Sequence, residues 1–177
     1  MRIHDATRAD FAAILRLNEE SLQFLSPLDA AGLQRLHATS AYHRVVAIDD
    51  QLAVFLLVFR EGADYDSPNY QWFVEHYKTF WYIDRIVVSR SQQGRRLGAL
   101  LYQDLFGHVA GEALVIVTCE YDVEPPNPAS EKFHRQLGFN LVGRQRVAGR
   151  KKLVSLQATV LEAKMRGHAG SGPISPH

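Results

Sequence analysis

A single cysteine, Cys119, is all that the 177-residue chain offers for disulfide chemistry, so no internal bridge can staple it and its fold must rest on a buried core. Charge of one sign is lacking too. Twenty Lys and Arg stand against 19 Asp and Glu, and a net charge of +1 excludes general affinity for nucleic acid or anionic membranes. Basic residues collect only locally, at Arg144, Arg146, Arg150, Lys151 and Lys152. No apolar run approaches the length of a membrane span and no leader is visible, which predicts a cytoplasmic protein. No Gly-rich loop ends in Lys-Ser or Lys-Thr, so a triphosphatase P-loop is excluded. The eight histidines form no ligand pattern, and no metal site is expected. Internal repeats and long low-complexity tracts are absent as well. What remains, 46% hydrophobic and 22% charged, is the composition of one α/β domain, placed at residues 1–165. The tail at 166–177, with Gly, Ser and Pro and no apolar period, is expected to be disordered.

Along the chain, residues 2–6 read as a first strand. Thr7-Arg8-Ala9-Asp10 has the form of a capping box, with Asp in place of the usual Glu or Gln. Phe11, Ile14, Leu15 and Leu17 continue it as a helix to about Glu20, and a second helix spans 29–39 beyond the break at Ser26-Pro27. Residues 43–48 and 52–59 form a hairpin about Asp49-Asp50-Gln51. Residues 61–79 are polar and aromatic together (Tyr65, Tyr70, Trp72, Phe73, Tyr77). They read as a long loop, either functional or stapled to the sheet by its rings.

The stretch at 80–109 organises the rest. Trp81 to Val88 is a strand rich in aromatic and β-branched residues, and Leu97, Leu100, Leu101, Leu105 and Val109 mark one face of a helix. Between them lies Gln93-Gly94-Arg95-Arg96-Leu97-Gly98. The first amides of a helix lack intrahelical partners and carry its positive dipole end, so this turn is a ready anion site. Glycine permits close backbone approach, and Arg95 and Arg96 add charge. We read it as a pyrophosphate cradle. Further on, 113–120 is a buried strand, 121–126 a turn-forming linker, and Asn127 to Phe139 a helix ending in Leu-Gly-Phe. Residues 139–147 and 152–160 close the domain as a hairpin about Ala148-Gly149-Arg150-Lys151.

The cradle resembles the acyl-CoA-binding signature of the GNAT N-acyltransferase superfamily, Gln/Arg-x-x-Gly-x-Gly/Ala, with Arg96 where that family usually has its first glycine. The Asn127–Phe139 segment is similar to the family's second signature. The resemblance runs from the first strand to the terminal hairpin, in the order β-α-α-β-β-β-α-β-α-β-β. It implies an α/β fold, a mixed and largely antiparallel sheet whose two central parallel strands splay apart to admit acetyl-CoA. The backbone of Ile86, Val87 and Val88 would then pair with the pantetheine arm, and the amides of Gln93, Gly94, Arg95, Arg96, Leu97 and Gly98 would take the pyrophosphate. Asn127 and Ser130 would lie near the cofactor arm. The connection at Phe24, Leu25 and Ser26 would wall the acceptor site.

The reaction so implied is direct transfer of an acetyl group to a primary amine. It needs a base for the amine and an acid for the departing thiolate. His134 stands where the family commonly has Tyr, and imidazolium can donate a proton; Tyr121 is the alternative acid. For the base, Asp84 and Glu120 are the candidates. Period two puts Asp84 on the face of Tyr82, Ile86 and Val88, with adjacent Arg85 pointing away. The aromatic insert with Asp64 and Asp66 suggests a cationic or partly apolar acceptor, whether small molecule or protein amine. A CoA-binding module without catalysis is the alternative function. The terminal hairpin and the insert are candidate surfaces for a homodimer.

Overall fold

The computed structural model of the chain describes residues 1–162, so the expected tail at 166–177 lies outside the described residues. Its elements are β1 (Arg2–Asp5), α1 (Phe11–Glu19), α2 (Ala30–Thr39), β2 (Tyr42–Ile48), β3 (Gln51–Arg60), α3 (Pro68–His76), β4 (Trp81–Val88), α4 (Leu97–Val109), β5 (Leu114–Glu124), α5 (Pro128–Gln136), β6 (Asn140–Val147) and β7 (Lys152–Glu162). The strands form one sheet in the order β1-β2-β3-β4-β5-β7-β6. Local chemistry sets the boundaries. Asp10 Oδ2 accepts from Thr7 N and Thr7 Oγ1, both at 2.8 Å, on the 3₁₀ turn that runs into α1. Asp29 Oδ1 caps α2 by accepting from Gly32 N at 2.6 Å. The β2–β3 turn is Asp49-Asp50, with φ of 49° and 59°, the left-handed pair that a two-residue hairpin demands.

Two expectations need correction. Residues 61–79 are not a loop throughout, because α3 lies within them. Pro68 opens it in the first turn, after Ser67, and Tyr70 and Phe73 bury its inner face. Likewise, β5 does not end near Glu120 but continues to Glu124, since β7 pairs with it through Asp122↔Val154 and Glu124↔Leu153.

The two faces of the sheet are covered differently. Val54, Leu56 and Val58 of β3 share one cluster with Leu97, Leu101, Leu105 and Val109 of α4, and Phe133 of α5 and Leu137 just past its end pack against it. The alternate β3 residues face α1, α2 and α3: Phe55 lies with Ile14, Leu17 and Leu33, while Leu57 and Phe59 lie with Tyr70 and Phe73. Insert α3 is tied down by Tyr70, whose hydroxyl donates to Arg60 O at 2.7 Å and accepts from Ala63 N at 2.9 Å. It also reaches the edge strand. Trp72 stacks on His76 at 3.6 Å and lies against Gly143 of β6, where an added Cβ would meet Trp72 Cζ2 at 2.6 Å. Gly143→Ala should therefore force the ring aside and destabilise the fold by about 1–3 kcal/mol, read as a lower urea midpoint with an unchanged slope.

Candidate active site

β4 and β5 run parallel but pair only at Trp81↔Val117 and Tyr82↔Thr118. Beyond Tyr82 they separate, and the edge of β4 that faces β5 carries no ladder through Val88. A β-bulge sits at the point of parting. Leu57 pairs with Arg85 and Val58 with Ile83, so Asp84 is an extra residue opposite β3. The bulge overturns the simple period-two reading. Tyr82 falls in the cluster under α3 and Val87 in the cluster under α1, whereas Ile86 and Val88 pack against the α4 cluster. Asp84 and Arg85 are in fact partners, Arg85 Nε to Asp84 Oδ2 at 2.9 Å, with side chains 6% and 8% exposed respectively. Arg85 Nη1 goes on to Asn18 Oδ1 at 2.7 Å and Ser26 O at 3.1 Å, which fixes the α1–α2 connection over the site.

The turn after β4 has the shape of an anion cradle. Gly94 has φ of +78°, and Arg96 caps α4 in the left-handed region at φ 60°, ψ 18°. That conformation accounts for glycine as the usual residue at Arg96, since a side chain there costs about 1 kcal/mol. The amides of Arg96, Leu97 and Gly98 meet no backbone acceptor among the described residues. Gly98 packs where its Cβ would lie 3.4 Å from Phe133 and 3.6 Å from Val88, so α4, α5 and β4 meet closely there. Arg95 bonds Gln92, and Gln93 Nε2 reaches Val88 O at 3.5 Å. Arg90 anchors the turn to the end of α1, its N to Glu20 Oε2 at 3.1 Å and its Nη2 to Glu20 O at 2.9 Å.

His134 and Tyr121 lie together on the α4–α5 face. Their rings stack at 5.8 Å and 18°. His134 is 3% exposed, and burial lowers its pKa to about 4, so the ring is held neutral. Both nitrogens are engaged: Nδ1 donates to Ser130 O at 2.8 Å, which leaves Nε2 to accept from the Tyr102 hydroxyl at 2.9 Å. This correlates poorly with the imidazolium expected from the sequence. Tyr121 is only partly buried, and its hydroxyl has one long contact, from Gln157 Nε2 at 3.5 Å. Asn127 caps α5, accepting from Ser130 N at 3.1 Å, while Ser130 Oγ lies 3.1 Å from His134 Nδ1.

Glu120 lies on the opposite face. Its Oε1 accepts from Asn69 Nδ2 at 2.9 Å and from the Tyr82 hydroxyl at 3.0 Å. The residue keeps some exposed surface, but its Oε2 is shut off from solvent and has no partner among the described residues. Burial, and next the nearby Asp84 carboxylate, push its pKa up to about 8. Asn69 is itself held by Gln145 Nε2 at 2.6 Å, and Tyr65 donates to Asp84 Oδ1 at 2.6 Å. The sequence named Asp84 and Glu120, and the structure brings them together. It missed Asn69, whose signal was the helix start at Ser67-Pro68, and Gln145 of β6, which had no local signal. Asp64 and Asp66 are exposed; the carboxylates near Glu120 are those of Asp84 and Asp122.

A mixed sheet with a parallel pair that splays beside a helix-capped anion cradle defines a class, the acyl-CoA transferases of the acetyltransferase type. The acetyltransferase (GNAT) family profile matches residues 13–139, and the chain belongs to that family. Solved structures share its fold. The ribosomal-protein-S18-alanine N-acetyltransferase of Escherichia coli aligns over 97% of this chain and 99% of its own, with TM-score 0.67 and 14% identity. Arabidopsis thaliana Naa50, in complex with the bisubstrate analogue CoA-Ac-MVNAL, aligns over 89% and 97% (TM-score 0.67, 12% identity). The yncA structure of Salmonella typhimurium, with its cofactor acetyl-CoA, aligns over 98% and 99% (TM-score 0.64, 18% identity). No curated protein matches the sequence. Among the described residues no helix is long and apolar enough to cross a membrane, and no group of three or more His, Cys, Asp or Glu is placed to hold a metal ion.

Glu120 makes stability depend on pH in a definite direction. Between about 4.5 and about 8 the folded state keeps a proton that the unfolded state has released, so stability falls as pH rises through that window. Glu120→Gln has no such proton. Its stability relative to the parent should therefore rise from about pH 4.5 to about pH 8 and then level off, by a few kcal/mol in order of magnitude, in paired urea titrations.

Proposed function

We propose that the protein is an N-acetyltransferase that moves the acetyl group of acetyl-CoA to a primary amine by direct attack. The observation that carries this reading is the early parting of β4 and β5 beside the anion cradle, with Glu120 two residues past the last paired residue of β5. The residues present fit the co-substrate. Unpaired β4 backbone at Ile86, Val87 and Val88 can add the pantetheine arm as a further strand, and the Gln93–Gly98 turn can take the pyrophosphate. Bound acetyl-CoA supplies the thioester whose carbonyl carbon the amine attacks.

Glu120 Oε2 takes the amine proton. A pKa near 8 matches a base that works close to neutrality, and Asn69 and Tyr82 hold Oε1 while Oε2 has no partner among the described residues. Asp84 is spent on Arg85 and Tyr65, which makes it a shaping group and the weaker candidate for the base. As the new C–N bond forms, the C–S bond breaks and its electrons leave on sulfur. Tyr121 gives that sulfur its proton. His134, neutral and bonded on both nitrogens, supports the Tyr121 ring by stacking. The neighbours named as a ribosomal-protein-S18-alanine N-acetyltransferase and as a complex with the bisubstrate analogue CoA-Ac-MVNAL are consistent with amine acceptors.

Acetyl-CoA at about 100 times its Kd should stabilise the fold by about 2.7 kcal/mol, a midpoint rise of roughly 5–10 °C. No shift with either acetyl-CoA or CoA would remove the cradle assignment. Binding without release of free thiol across an amine panel would leave a CoA-binding module. In that assay Tyr121→Phe should lower kcat by about 100-fold or more while acetyl-CoA still binds. If His134→Gln silences turnover and Tyr121→Phe is tolerated, the imidazole is the acid.

A further inference from the structure

The edge strand β6 reaches Glu120 without touching it. On this face of the sheet the rows Glu120↔Leu156↔Gly143 and Asp122↔Val154↔Gln145 run across β5, β7 and β6. Leu156 and Val154 are buried and apolar, so β7 offers no polar side chain on these rows. Asn69, in the first turn of α3, bridges the gap. Its Nδ2 donates to Glu120 Oε1 at 2.9 Å, and its Oδ1 accepts from Gln145 Nε2 at 2.6 Å. One turn further along α3, Trp72 lies against Gly143, a contact that holds the helix over β6 independently of Gln145.

A carboxamide has a donor end and an acceptor end, and the two cannot face the same way. With Gln145 donating to Asn69 Oδ1, Nδ2 is the end left for Glu120, whose Oε1 then receives two donors, Asn69 and the Tyr82 hydroxyl. Donors favour the ionised carboxylate. Turned end for end, Asn69 would present an oxygen, to which only a protonated carboxyl can donate. Resting on the acetyltransferase reading with Glu120 as its base, we infer that Gln145 is a positioning residue: it dictates which end of the Asn69 amide meets Glu120, and so keeps a donor on the carboxyl that must ionise to act. The other groups about Glu120 are set without Gln145. Burial and then Asp84 raise the pKa of Glu120, bonds from Tyr82 and Asn69 lower it, and Asp122 raises it again. Asp84 is bonded by Arg85 and Tyr65, and Asp122 by Lys152. Burial keeps the Cys119 thiol and the Tyr102 hydroxyl protonated. Among these groups Gln145 bonds Asn69 alone, so a change at Gln145 acts on Glu120 through that amide.

The test follows the Glu120 carboxyl itself. In protein carrying isotopically labelled glutamate, the carboxyl resonance that disappears in Glu120→Gln is titrated with pH in the absence of substrate. Gln145→Met, which adds no charge, should raise its midpoint by about 0.5–1 in pH, because Asn69 is then free to turn its oxygen to the protonated form. Gln145→Ala, which shortens the side chain out of reach, should do the same and serves if Gln145→Met does not fold. Gln145→Lys, a donor only, should hold the midpoint at or below that of the parent. Asn69→Ala should raise it as well, and adding Gln145→Met on that background should change nothing more. A merely structural Gln145 would lower the urea midpoint at every pH and leave the titration in place. That result overturns the inference, and so does a shift that survives in the Asn69→Ala background. With acetyl-CoA and the amine of the panel that releases free thiol fastest, the acid limb of kcat/KM should move with the carboxyl midpoint. A limb that stays while the carboxyl moves keeps Gln145 as the residue that orients Asn69 and removes Glu120 as the base.

Discussion

The premature end of the β4–β5 ladder is the constraint on which the rest of the molecule depends. Two residue pairs hold the centre of a seven-stranded sheet together, and everything past Tyr82 has to be supported from outside. The bulge at Asp84 makes the parting possible by adding a residue to β4 without disturbing β3. Once the strands part, helices brace each half. α4 and α5 close over one face, α1, α2 and α3 over the other, and β7 pairs along β5 so that the strand bordering the gap does not fray. An ordinary continuous sheet would have needed none of these devices.

That arrangement separates two polar environments that would conflict if they shared one cavity. Where α4 meets α5 the polar groups Tyr102, His134 and Ser130 are neutral and mutually satisfied in a chain of hydrogen bonds. On the α3 face the groups are ionic, and one of them is left over. Asp84 and Asp122 are neutralised from within, whereas Glu120 is enclosed without a counter-charge, and its protonation is the cheapest response to burial. Insert α3 matters here because it brings Asn69 down onto Glu120 and Tyr65 onto Asp84.

Much of this was legible in the amino-acid sequence, for reasons that differ by element. The β4 strand, the cradle and α4 were readable because strand composition, glycine placement and leucine spacing all act locally. Arg96 was visible as an oddity, but only its left-handed backbone explains why glycine is the usual residue there. The misreadings came from non-local causes. Alternation along β4 assigned Asp84 and Arg85 to opposite faces, and a bulge dictated by pairing with β3 put them together. Nothing near Tyr121 showed that β7 would extend β5 to Glu124. The α3 insert had a local signal in Ser67-Pro68, which its dense aromatic composition obscured. His134 looked like a free acid in one dimension; its burial and the Tyr102 hydroxyl become apparent only when α4 lies beside α5.

The division of the sheet into a carboxylate face and a tyrosine face has a consequence for proton traffic. In the proposed reaction Glu120 collects a proton on one side and Tyr121 surrenders one on the other, with the sheet between them. The hydrogen gained by sulfur is therefore never the hydrogen lost by nitrogen. Each turnover must discharge Glu120 to water and refill Tyr121 from water through separate exits. The two halves of the cycle are reset independently, and neither side chain can be returned to its starting state by the other.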